Sequence, residues 1–122
     1  MRCWAGKTDR AYAYRSLWDS GALLANGSDA PIEELDPWDG ICAGVTRAWH
    51  PEQRLTLEQA LQATTVNPAW LARDEHRRGR LVPGFYADLV VLDGDPFEDL
   101  AGVKVLATML GGTWTHNPPP WR

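Results

Sequence analysis

The sequence feature that most constrains the fold of this chain is an apolar run that ends at a turn with a single carboxylate. Leu23, Leu24 and Ala25 lead into the sequence Asn26-Gly27-Ser28-Asp29-Ala30-Pro31. The pattern predicts a buried strand with an acid at its C-terminal tip. In parallel α/β barrels this tip carries catalytic and metal-binding side chains, because the strand fixes the backbone while the loop leaves the side chain at the mouth.

Asp29 is therefore the first candidate for a catalytic and metal-binding residue. An ordinary structural role stays open beside it, since Asp readily caps a turn or a helix where a strand ends in a loop. On these residues alone, the structural role is the more common one.

Size and charge limit the possible functions. The chain has 122 residues, is 44% hydrophobic and 23% charged, and carries a net charge of −4, which is typical of a soluble globular domain. A complete eight-stranded barrel needs about 250 residues, so it cannot be present in this chain. Basic residues are scattered apart from Arg77-Arg78 and Arg80, which argues against a nucleic-acid partner.

Targeting and redox features are absent from the sequence pattern. No apolar run approaches the ~20 residues of a membrane span, and the N-terminus lacks the apolar core of a signal peptide, so we expect a cytoplasmic protein without a membrane partner. Cys3 and Cys42 have neither zinc-ligand nor CxxC spacing, and Cys42 is expected to be a small buried helix residue. Seven Trp predict either a well-filled core or a surface that binds a partner.

The first part of the chain has helical periodicity. A helical pattern runs from Asp9 to Ser20, and apolar residues from Trp38 to Trp49 recur at helical spacing. Thr56 and Gln59 form a capping-box pattern, and Asn67-Pro68 is typical of an N-cap with a first-turn proline.

The pattern changes near residue 79 to short strands separated by turns. The predicted strands are Arg80 to Val82, Asp88 to Asp93, Val103 to Leu110 and Thr113 to His116. Gly111-Gly112 predicts a tight two-residue hairpin, since both positions tolerate positive φ. Asp88 is expected to hydrogen-bond the backbone of a neighbouring turn, and Arg15 and Arg47 to form ion pairs on helix faces.

Motifs along nearly the whole chain resemble amidohydrolase family 3 of the metal-dependent amidohydrolase superfamily. Each motif is weak alone, but their order and spacing are specific. In order they are Tyr14-Arg15-Ser16-Leu17, Gly27-Ser28-Asp29-Ala30-Pro31, Ala43-Gly44-Val45-Thr46-Arg47, Leu57-Glu58-Gln59-Ala60-Leu61, Asn67-Pro68-Ala69, Gly79-Arg80-Leu81, the segment from Pro83 to Asp93, and Gly111-Gly112.

The resemblance implies an α/β fold and a place in a larger architecture. Residues 1–78 would be the C-terminal segment of a (β/α)₈ barrel, with its eighth strand and helices, and residues 79–122 would be part of a small β-sandwich. Asp29 would be the acid at the end of the eighth strand, which in the family touches the metal and takes a proton from the attacking water. The complete enzyme would hydrolyse non-peptide carbon–nitrogen bonds of a small amide-type substrate, using a divalent metal such as zinc.

The remaining ligands of that family are missing from this sequence. The family places a His-x-His pair and further ligands upstream of the eighth-strand Asp, whereas His50, His76 and His116 all lie downstream of Asp29. A catalytic zinc normally needs three protein ligands, so this chain alone is expected to be truncated, inactive and metal-free. The alternative is a non-catalytic module that self-associates or binds a partner such as the missing barrel portion.

Overall fold

The structure is a computed structural model that describes residue 8 and residues 11–120, and it joins short helices to one small sheet. The helices come first: α1 (Tyr14–Asp19), α2 (Pro37–Thr46), a short 3₁₀ helix (Pro51–Gln53), α3 (Leu57–Thr64) and α4 (Val66–Leu71). The strands follow: β1 (Leu89–Leu92), β2 (Val105–Leu110) and β3 (Thr113–His116). The predicted change from helices to strands is confirmed.

Side-chain caps explain where the two longest helices begin. The Asp36 carboxylate accepts a 2.8 Å hydrogen bond from the Trp38 N–H at the start of α2. At α3 the Thr56 hydroxyl accepts from the Gln59 N–H at 3.2 Å, while Gln59 Oε1 accepts from the Thr56 N–H at 2.9 Å. The predicted capping box is therefore confirmed, and it satisfies two backbone donors that the helix leaves without partners.

Two helices are shorter than their periodicity predicts. Helix α1 begins only at Tyr14, and Asp9, where the predicted helix starts, lies outside the described residues. Helix α2 ends at Thr46 because Arg47 leaves the helical region, with ψ 135°, so Trp49 lies beyond it.

Asn67 differs from its predicted role as an N-cap. It lies inside α4, and Thr65 holds the capping position without a side-chain capping bond, since its hydroxyl donates to the Leu61 carbonyl at 2.7 Å. The Asn67 side chain is buried, and its Nδ2 donates to the Leu24 carbonyl at 2.7 Å. The residue therefore ties α4 to a distant part of the chain.

The sheet is antiparallel, with the strand order β1-β2-β3. Leu89 lies opposite Met109, and Thr108 lies opposite His116. The β2–β3 turn has φ values of 56° and 82° at Gly111 and Gly112, which confirms the predicted hairpin.

The predicted strand that ends at Asp29 is not formed. Residues 22–29, which we call segment 22–29, belong to no helix or strand, and residues 80–82 are not a strand either. A strand is defined by the neighbour that pairs with it, and within the described part of the chain no strand lies beside segment 22–29. Helices α3 and α4 take two of its backbone groups instead.

The core is small and consists mainly of small side chains. Its buried members are Ile41, Ala60, Ala63, Asn67, Ala69, Val103 and Ala107. Trp38 Nε1 donates to the Leu100 carbonyl at 3.2 Å, which joins α2 to the loop before β2. Cys42 is half-buried on α2, and this burial raises the pKa of its thiol.

Large apolar side chains remain at the surface. Trp70 is 54% exposed and Ile32 is 79% exposed. Among the described residues, no helix is both long enough and apolar enough to cross a membrane.

Candidate functional site

Segment 22–29 is anchored along one side by the helices. The Asn26 N–H donates to the Ala63 carbonyl at 2.7 Å, and the Leu24 carbonyl accepts from Asn67 at 2.7 Å. The helices thus fix the path of the chain just before Asp29.

Asp29 occupies the turn that ends the segment. Its φ is +59°, in the left-handed region that Asp tolerates better than most residues. Its carbonyl accepts from the Ile32 N–H at 2.9 Å and from the Glu33 N–H at 3.4 Å, while Ser28 Oγ accepts from the Ala30 N–H at 3.3 Å. The backbone, rather than the carboxylate, closes this turn.

The Asp29 carboxylate is consequently available for chemistry. The residue is exposed, and its side chain makes no hydrogen bond or ion pair with any residue that the structure describes. Within the described part of the chain, the Asp29 carboxylate caps neither a turn nor a helix.

Asp29 and Glu33 line an open cleft of about 720 Å³. Its floor is apolar and includes Ile41, Ala60 and Ala63, while Arg47 lies among the lining residues as the basic group.

Arg47 lies against three aromatic rings, which the sequence analysis did not predict. Its guanidinium carbon is 5.9 Å from the ring centre of Tyr12, 5.2 Å from that of Tyr14 and 5.5 Å from that of Trp49. Its Nη1 donates to the Tyr12 carbonyl and its Nε to the Trp49 carbonyl, both at 2.7 Å. The closely spaced aromatic pairs Tyr12/Tyr14 and Trp49/His50 were the sequence signal for this cluster.

Arg15 and Arg47 were both expected to form ion pairs, but their contacts differ. Arg15 bonds Asp19 at 2.9 Å, as predicted for residues four apart on a helix. Arg47 instead binds carbonyl groups and ring faces. The Arg47 side chain therefore connects the segment before α1, at Tyr12, to the segment after α2, at Trp49.

A complete metal site is not formed by the described residues. Within residue 8 and residues 11–120, no group of three or more His, Cys, Asp or Glu side chains could hold a metal ion. His50 lies 2.7 Å from Glu52, His116 ends β3, and His76 is exposed. A backbone hydrogen bond, and then the His50 ring, lower the pKa of Glu52.

Asp88 is engaged in the structure around it. Its Oδ1 accepts from the Gly111 N–H at 2.7 Å, and its Oδ2 bonds Arg78, which also bonds Asp74 at 2.8 Å. Arg77, and then Arg78, lower the pKa of Asp74. The contacts match the structural role predicted for Asp88 and set it apart from Asp29, whose carboxylate has no bonding partner among the described residues.

Comparison with models of protein families shows the family of this chain. A model of the amidohydrolase family matches residues 1–116, nearly the whole sequence. The chain belongs to the amidohydrolase family. The resemblance inferred from the motifs is confirmed, and members of this family of hydrolases are generally metal-dependent.

Several curated relatives have sequences similar to this amidohydrolase-family chain. It is 36% identical over 112 residues to Protein LONG AFTER FAR-RED 3 of Arabidopsis thaliana, covering 84% of this chain and 19% of that protein. It is 38% identical over 96 residues to the putative amidohydrolase YtcJ of Bacillus subtilis, covering 71% and 18%. It is 28% identical over 127 aligned positions to the N-substituted formamide deformylase of Arthrobacter pascens, covering 93% and 23%.

A solved amidohydrolase has a similar fold. The amidohydrolase from Thermotoga maritima superposes with a TM-score of 0.71 and 28% identity, over 85% of this chain and 25% of that one. This match and the mixed helix and strand content support the α/β class. The chain spans about a fifth of the length of the curated relatives described above.

Proposed function

We propose that this chain supplies the eighth-strand acid and the following helices of a metal-dependent hydrolase that cleaves non-peptide carbon–nitrogen bonds. In this proposal residues 1–78 are the last portion of the barrel and residues 79–122 are part of the β-sandwich. The single observation that carries the proposal is the exposed Asp29 carboxylate, which has no bonding partner in the described part of the chain and lines the cleft in a chain of this family.

Asp29 is proposed to act as a proton acceptor. A carboxylate beside the attacking water can take its proton, and the protonated acid can then donate that proton to the leaving nitrogen. An Asp without internal partners suits this role, because no bond must break before it accepts the proton. The metal supplies Lewis-acid chemistry when bound, and Asp29 is proposed as one of its ligands.

The described residues alone do not fit a complete metal site. Asp29 offers one carboxylate, whereas three protein ligands are usual for a catalytic zinc. We infer that the other ligands come from outside the described residues, and that the 122-residue chain by itself is inactive.

The nature of the substrate is also a proposal. The relative from Arthrobacter pascens is named for the deformylation of N-substituted formamides, which contain an amide bond. A small amide-type molecule would suit the cleft, whose floor is apolar and whose polar groups include Asp29 and Arg47.

A chimera tests this function. The chain would replace the matching part of the Arthrobacter deformylase, which retains its own upstream portion. We expect zinc-dependent deformylation by the chimera, together with neither turnover nor tight zinc binding by the separate 122-residue chain. Stoichiometric zinc binding by the separate chain, abolished by Asp29→Ala, would contradict the proposal.

The second candidate function is a module that associates with itself or with another chain. The chain has an accessible surface of 9160 Å², whereas a compact monomer of its 13.6 kDa mass exposes about 6,600 Å². Apolar residues such as Trp70, Leu81 and Ile32 contribute to this surface. Sedimentation would detect the dimer or larger oligomer that this candidate predicts, and a compact monomer would rule against it.

A further inference from the structure

Segment 22–29 contains the pair Asn26-Gly27, in which the side-chain amide is next to an unhindered backbone nitrogen. We propose that Asn26 is a site of spontaneous modification that converts it to aspartate and isoaspartate. The reaction needs only water, and it is independent of the hydrolase function proposed above.

The chemistry is a ring closure followed by hydrolysis. The Gly27 nitrogen attacks Asn26 Cγ, the bond from Cγ to the side-chain nitrogen breaks, and that nitrogen leaves as ammonia with the proton from Gly27. Water then adds to either carbonyl of the five-membered imide ring. Opening at one carbonyl gives aspartate, and opening at the other gives isoaspartate, with the backbone running through the former side chain.

The sequence restricts this reaction to one position. The chain has three asparagines, and Asn67 and Asn117 are each followed by proline. Proline has no N–H to lose, so its nitrogen cannot close the same neutral ring. Asn26 is the asparagine whose following residue can react.

The local structure leaves the Gly27 nitrogen free to attack. Its N–H donates to no group in the described part of the chain, and no atom lies within 4 Å of where a Cβ would stand. Glycine also offers the widest backbone freedom for approach to Cγ.

The Asn26 side chain is itself weakly held. The residue is exposed, and its Nδ2 reaches Thr64 Oγ1 only at 3.5 Å, the outer limit of a hydrogen bond. The Asn26 backbone N–H donates a shorter hydrogen bond, of 2.7 Å, to the Ala63 carbonyl. The nitrogen in that bond takes no part in ring closure. The anchor thus leaves the reacting atoms free.

The modification would change the cleft. The Asn26 amide packs against Gly40, where an added Cβ would lie 2.8 Å from Nδ2. Conversion places a negative charge there, in a cleft already lined by Asp29 and Glu33. Isoaspartate also lengthens the backbone three residues before Asp29, which would shift that carboxylate.

Peptide mass spectrometry tests the proposal on the 122-residue chain, incubated in mildly alkaline buffer at physiological temperature. We expect the mass change from amide to acid in the peptide with Asn26 and none at Asn67 or Asn117. An isoaspartyl methylation assay on the isolated Asn26 peptide should become positive in parallel, and the peptide must be isolated because Asp39-Gly40 and Asp93-Gly94 can form isoaspartate through the same ring. Gly27→Ala should lower the modified fraction severalfold, because the added Cβ restricts the approach of the nitrogen.

A free peptide of residues 20–33 provides the reactivity control. Conversion of the peptide without conversion of the folded chain would show that the fold protects Asn26, and would overturn the proposal. Equal conversion in wild type and Gly27→Ala would overturn it as well.

Discussion

The β2–β3 hairpin and segment 22–29 each reach a turn with positive φ, but they satisfy their backbones differently. In the hairpin, Gly111 and Gly112 reverse the chain so that β3 pairs with β2. Segment 22–29 ends at Asp29 with no strand beside it among the described residues, and two of its backbone groups bond to α3 and α4. A hairpin carries its pairing partner within its own sequence, whereas a strand of a parallel sheet depends on distant residues.

The largest expected effect on stability comes from a substitution at Gly79, in the connection between the helices and the sheet. Gly79 has φ +85°, and a Cβ there would lie 2.9 Å from both the Ala69 Cβ and the Thr65 carbonyl oxygen. We expect Gly79→Ala to lower the free energy of unfolding by about 2–4 kcal/mol, because strain and a clash with helix backbone combine. Urea denaturation would measure the change.

Gly84→Ala is the matched control for that variant. Gly84 also has a positive φ, of +92°, but nothing lies within 4 Å of its Cβ position. The conformational strain alone should cost about 1 kcal/mol. Equal losses at the two glycines would mean that the connection is not closely packed at Gly79.

The next largest expected effect is a difference in the free energy of unfolding between variants of the two carboxylates, Asp88 and Asp29. Asp88→Asn removes the charge that bonds Arg78 beside the Gly111 turn and should cost about 1–3 kcal/mol. Asp29→Asn keeps a residue that tolerates left-handed backbone and loses no hydrogen bond or ion pair to a described residue, so its change should stay within about 0.5 kcal/mol. Denaturation of both variants under identical conditions makes this comparison.

The smallest effect is a pH dependence at Asp74. Arg77 lowers the pKa of Asp74 in the folded chain, so its contribution is fully present above the ordinary Asp value of about 4. The contribution is lost as the pH falls through the lowered folded pKa. The stability difference between wild type and Asp74→Asn should therefore be present near neutral pH and disappear in acid; a constant difference would exclude this ion pair as its source.

Local chemistry explains what was predictable from the sequence. The capping box of Thr56 and Gln59 and the Gly111-Gly112 hairpin each depend on residues close in sequence, and both form as predicted. The family assignment was also predictable, because ordered motifs extend along nearly the whole chain.

Other features depend on distant contacts. The predicted strand at segment 22–29 needs neighbouring strands that the described residues do not provide. The role of Asn67 depends on the Leu24 carbonyl, 43 residues earlier. Arg47 meets Tyr12, 35 residues earlier, only after folding brings the chain before α1 against the chain after α2. The turn predicts Asp29 as a candidate site residue, but only the structure shows that its carboxylate has no bonding partner among the described residues.

Asp29 is proposed to take part in the chemistry, whereas Asp88 is bonded within the structure around it. The most direct test of this proposal is turnover per folded molecule in the deformylase chimera, compared between Asp29→Asn and Asp88→Asn. Loss of a general base should lower turnover by about 10²-fold or more for Asp29→Asn, while Asp88→Asn keeps turnover near that of the unmodified chimera. Unchanged turnover for Asp29→Asn, with loss of turnover in a folded Asp88→Asn chimera, would contradict the assignment of both carboxylates.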